Sequence, residues 1–163
     1  MRILLIRAGL LGIVLAAAAA PARADATLFG GVATSATGST SGPAFGVAFG
    51  RCPGILGFEL EYAGGPGGSG AQTVAVNALV QTTLPIHRMQ FYGIGGVGVY
   101  GETGFGEIAS GDLGAGAKIT LSGPLKVRVD YRVFLLGASP DATAGLVIRR
   151  HPQRFSAGLS VAF

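Results

Sequence analysis

Eight charged residues have the types and spacing to act on one another: Glu59, Glu61, Asp112, Lys118, Lys126, Arg128, Asp130 and Arg132. Glu59 and Glu61 alternate with Phe58, Leu60 and Tyr62, while Lys126, Arg128, Asp130 and Arg132 alternate with Leu125, Val127, Val129, Tyr131 and Val133. Successive side chains of an extended strand point to opposite faces, so in each run the charges share one face and the apolar residues the other. Four acids and four bases enclosed together away from water persist only when paired and hydrogen-bonded. The chemistry this predicts is mutual neutralisation. A salt-bridged plug is the expectation, and an ion gate made by parting the same pairs is the alternative.

Catalysis needs a nucleophile within reach of a base, and His87 and His151 are the only histidines. Ser156 follows His151 by five residues and has the opposite strand parity, so the two project to different faces. Gly93-Ile94-Gly95-Gly96-Val97-Gly98 has the spacing of a dinucleotide-binding loop, but Val99-Tyr100-Gly101-Glu102 behind it offers no helix to receive a pyrophosphate. Cys52 is the single cysteine and can form no internal disulfide. No catalytic residue, metal site or cofactor is therefore expected. A basic cluster at Arg149, Arg150, His151 and Arg154 is the candidate contact for lipopolysaccharide phosphates at an outer rim.

Eight segments of about ten residues, separated by Gly, Ser, Pro and Asp clusters, position these groups. They are expected at 27–36, 43–51, 55–63, 72–81, 90–100, 111–121, 125–135 and 154–163. Segments two, three, four, six, seven and eight alternate cleanly, whereas the first and fifth are rich in glycine and leave their register open. The fourth places Val74, Val76, Ala78 and Val80 on one face and Asn77 on the other. Residues 102–110 read as a polar loop, 122–124 as a hairpin turn and 137–153 as the last loop. An even strand count returns the C-terminus to the side of the N-terminus. With both in the periplasm, the turns holding Pro53, Pro85 and Pro124 are the short periplasmic ones.

The composition agrees. Hydrophobic residues make up 49% of the chain and charged ones 12%, unusual for a water-soluble domain, yet no helix-length apolar run follows the N-terminal one. A lipid-facing barrel resolves this because its apolar residues alternate with others. A soluble lipocalin-type barrel would turn its apolar face inward, and the charged parity of segments three and seven cannot line a greasy pocket. Residues 1–24 read as a secretory signal peptide, with Arg2 and Arg7 before an apolar stretch and small residues at Ala22 and Ala24; a cut after Ala26 fits the same rule. Of the 12 basic residues three lie in this leader, leaving nine against eight acids, so the basic balance argues for no nucleic acid.

Thr73-Val-Ala-Val-Asn-Ala-Leu-Val, Phe91-Tyr-Gly-Ile-Gly-Gly-Val-Gly-Val, Gly114-Ala-Gly-Ala-Lys-Ile, Val129-Asp-Tyr-Arg and Phe155-Ser-Ala-Gly-Leu-Ser-Val-Ala-Phe resemble strand motifs of the OmpA-like and opacity-protein barrel superfamily. The resemblance covers nearly all of residues 25–163. It implies an all-β, eight-stranded antiparallel transmembrane barrel of the bacterial outer membrane, with Phe155, Leu159, Val161 and Phe163 as the C-terminal signal read by the barrel-assembly machinery. It departs from OmpA in having no peptidoglycan-binding domain after the barrel. The expected function is a non-enzymatic structural or surface role, as a monomer contacting outer-membrane lipid and lipopolysaccharide. A narrow or gated solute pore is the second expectation, and a lipid A-modifying enzyme the third.

Overall fold

In the computed structural model, residues 24–36, 41–66, 71–82, 85, 88–102, 106–137 and 151–163 are described. They form eight strands: β1 (Ala24–Thr34), β2 (Ser41–Arg51), β3 (Leu56–Gly64), β4 (Gln72–Gln81), β5 (Met89–Glu102), β6 (Gly106–Ser122), β7 (Leu125–Leu136) and β8 (Gln153–Ala162). Each pairs antiparallel with its neighbour in sequence, and β8 returns to β1, closing the barrel. Closure leaves no edge strand. Every ladder amide then has a partner within the sheet, the condition for crossing a bilayer with strands.

The alternation is realised residue by residue. On β4, Thr73, Ala75, Asn77 and Leu79 are buried while Val74, Val76, Ala78 and Val80 are exposed. On β7, Arg128, Asp130, Arg132, Phe134 and Leu136 turn inward, and Tyr131 and Leu135 turn outward. The outer wall is a band of exposed apolar side chains including Leu28, Phe45, Phe58, Val76, Val97, Leu113 and Phe155. Water would not tolerate so continuous an apolar surface, and hydrocarbon requires it. The protein is a transmembrane β-barrel.

Glycine on the inner wall makes room. A methyl group on Gly116 would collide with the Tyr92 hydroxyl and the Val129 carbonyl, and one on Gly96 with Asn77. Long charged side chains need that space. At the β6–β7 connection, the ladder slips between Thr120 and Ser122, and Gly123 takes a positive φ of 53° ahead of Pro124, giving the short hairpin.

Several boundaries move. β1 starts at Ala24 rather than 27, because Asp25 already pairs with Ala162 on one side and Gly50 on the other. The loop expected at 102–110 is mostly strand: Tyr100 pairs with Ile108 and Glu102 with Gly106, so the β5–β6 hairpin is the longest. Its glycines hid the alternation that Ile108, buried, and Glu107, exposed, restore. The open registers resolve with Thr27 and Phe29 inward on β1, and Tyr92, Ile94 and Tyr100 inward on β5.

Candidate functional site: the charged lumen

The barrel interior is crossed by a chain of ion pairs from β3 to β7 and β8. Arg128 is the first centre. Its guanidinium is paired with Glu59, Nη2 lying 3.1 Å from Oε1, and its Nε donates to Asp130 Oδ2 at 2.6 Å and to the Tyr92 hydroxyl at 2.8 Å. Tyr92 in turn donates to Asp130 Oδ1 at 2.6 Å. Arg132 is the second centre. Nη2 reaches Glu59 Oε1 at 3.1 Å and Glu61 Oε2 at 2.7 Å, and Nη1 reaches Asp112 Oδ1 at 3.3 Å. The Asn77 amide satisfies both neighbours when its oxygen accepts from Arg132 Nη1 at 2.9 Å and its nitrogen donates to Asp112 Oδ2 at 3.0 Å.

Arg154 on β8 completes this part of the network. It pairs with Glu61 and donates to Thr73 Oγ1 at 3.4 Å, and its guanidinium lies 5.0 Å from the Phe29 ring and 5.3 Å from that of Phe134. Toward the end holding the termini, Lys118 Nζ sits 2.7 Å from Asp25 Oδ2, and Lys126 Nζ 3.8 Å from Asp25 Oδ1. The ion pairs thus join Asp25, Glu59, Glu61, Asp112 and Asp130 to Lys118, Lys126, Arg128, Arg132 and Arg154. Five acids meet five bases, so this network balances in formal charge, as buried ions require.

The opposite end is capped differently. Glu102 accepts from the Ser35 hydroxyl, from the Ala36 amide at 2.9 Å and from the Tyr100 hydroxyl at 3.0 Å. Beside it Ala36, Tyr100, Ile108, Phe134 and Leu136 form an apolar cluster. Cavities of about 10 Å³ lie beneath this cap and beside Glu59 and Lys118. A wider recess of about 300 Å³ opens at the end holding the termini, lined by Asp25, Cys52, Gln81, Gln90, Lys126, Ala162 and Phe163.

All eight lumen residues expected from the sequence face inward, and the placement of Glu59 and Glu61 against Arg128 and Arg132 agrees with strands three and seven standing opposite in the ring. Lys126 lies at the rim, about a quarter exposed, not in the sealed centre. Arg154 requires correction. Assigned to the outer rim as a lipopolysaccharide contact, it is buried inside, where Glu61 holds it and phosphate cannot reach. Its parity with Ser156 and Ser160 was the available signal. Arg149 and Arg150 lie outside the described residues, as does His87. Asp25, Tyr92 and Glu102 were missed, Asp25 because it abuts the leader and Glu102 because it fell in an expected loop.

Among the described residues no cluster of His, Cys, Asp and Glu could hold a metal ion. His151 is exposed and Ser156 buried in the lumen, so they do not meet. Phe155, Leu159 and Val161 face outward on β8, and Phe163, just beyond it, is exposed.

No family model matches this sequence, and no curated protein matches it. Solved structures do resemble its fold. Neisserial surface protein A superposes with a TM-score of 0.65 at 14% identity, covering 86% of this chain and 96% of that one. The N-terminal β-barrel domain of Pseudomonas aeruginosa OprF gives 0.65 at 12% identity, over 86% and 97%. The outer membrane enzyme PagL gives 0.54 at 12% identity, over 85% and 99%. The architecture is that of the eight-stranded outer-membrane barrels. The lumen of this chain holds ten paired charges.

Proposed function

We propose that this protein is a non-enzymatic integral protein of the bacterial outer membrane, with its termini in the periplasm, a closed lumen and a structural or surface role. The observation that carries the reading is the saturation of the interior. Arg128 and Arg132 are each within ion-pair distance of two or more carboxylates, and an eight-stranded ring has room only for side chains. Opening a path would strand several buried charges at once, which is unfavourable. His151 is exposed while Ser156 is buried in the lumen, which supports the non-enzymatic reading.

Planar-bilayer recording of the purified barrel, with and without Arg128→Ala, tests this. Silence in both is expected, and stepwise conductance in the unaltered protein would overturn the closed lumen in favour of the gated pore. Orientation has its own test at Cys52, in the β2–β3 turn. A membrane-impermeant maleimide should label it only after the outer membrane is permeabilised, and labelling on intact cells would invert the assignment.

A further inference from the structure

The sequence leaves two cuts for the leader, after Ala24 and after Ala26, and they differ in whether Asp25 survives. Asp25 is on the inward parity of β1, with Ala162 and Gly50 as its ladder neighbours. Lys118 is buried, and its ammonium has one carboxylate within ion-pair distance among the described residues, that of Asp25 at 2.7 Å. The Tyr92 ring lies 5.8 Å from the same ammonium. Lys126 leans on the same carboxylate. We infer that the leader is removed after Ala24, so that Asp25 remains in the mature chain as the counter-ion of Lys118 and Lys126.

The alternative is unfavourable twice over. Cutting after Ala26 would delete the anion that neutralises Lys118, and it would create a new α-ammonium on Thr27, itself buried. One buried cation would lose its partner and a second would appear on a buried position of β1. Cutting after Ala24 places the new ammonium on Asp25, at the partly exposed lip of the barrel, next to its own carboxylate. Ala22 and Ala24 satisfy the small-x-small requirement of the processing enzyme.

Intact mass of the chain, expressed with its leader and extracted from the outer membrane of a Gram-negative host, reads the cut directly. A mass beginning at Asp25 is expected; one lacking Asp25 and Ala26, or beginning at any other residue, would overturn the assignment. The counter-ion role is read separately by heat-modifiable gel mobility. Asp25→Asn should lower the temperature at which the compact form is lost, and adding Lys118→Met should restore it, because the orphaned cation is gone. An unchanged transition in Asp25→Asn, or no restoration in the double variant, would overturn the pairing.

Discussion

Arg132 touches three carboxylates, those of Glu59, Glu61 and Asp112, and among the described residues no other cation pairs with as many. Replacing it by Ala leaves three buried anions short of one cation, and breaking even one buried pair costs about 3–5 kcal/mol. Arg132→Ala should therefore unfold from detergent at markedly lower urea than the parent. Arg132→Lys should recover only part, since an ammonium cannot span three carboxylates as a planar fork does. Cys52 offers a prediction of the opposite kind. Burial pushes its thiol up from the ordinary range. The thiolate fraction at neutral pH is then smaller than for a free cysteine, so alkylation in permeabilised membranes should be slow at pH 7 and accelerate at alkaline pH. At this scale the sequence was most legible where two charges of one strand shared a parity, as in Glu59 with Glu61. It was least legible where a single charge stood near an element boundary. Asp25 beside the leader and Arg154 beside a basic loop had neighbours suggesting other fates.

Among the strands, glycine has two roles that the sequence does not separate and the geometry does. Gly96 faces inward on β5, where any Cβ would meet Asn77 and the Val76 carbonyl; Gly93 faces outward with open space around it. Gly96→Val should abolish the folded, heat-modifiable form. Gly93→Ala should assemble normally and gain up to about 0.5–1 kcal/mol from the reduced entropy of the unfolded chain. This ambiguity is why β1 and β5 resisted reading while β3, β4 and β7 did not: a pleated strand announces its faces through contrast between neighbours, and glycine supplies none. The β5–β6 hairpin reads shorter in the sequence than it is for the same reason. Glu107 and Ile108 mark its two faces, but the glycines around them read as a loop.

The whole molecule places its two solvents on opposite sides of a single sheet. Val76, halfway along β4, is exposed toward lipid, and its neighbour Asn77 toward the charged interior. Val76→Arg should cost about 2–4 kcal/mol if that position lies near the bilayer midplane, measured by reversible unfolding in lipid vesicles. A negligible cost would mean that the apolar band does not face hydrocarbon. The closed ring also bears on the order of assembly. Glu59 and Glu61 belong to the third strand, and their partners to the seventh and eighth. Until the sheet curls far enough to bring its seventh and eighth strands across to the third, those ions have nothing to neutralise them, and an unfinished ribbon would present bare charge to acyl chains. The bilayer thus favours the closed circle over the open ribbon.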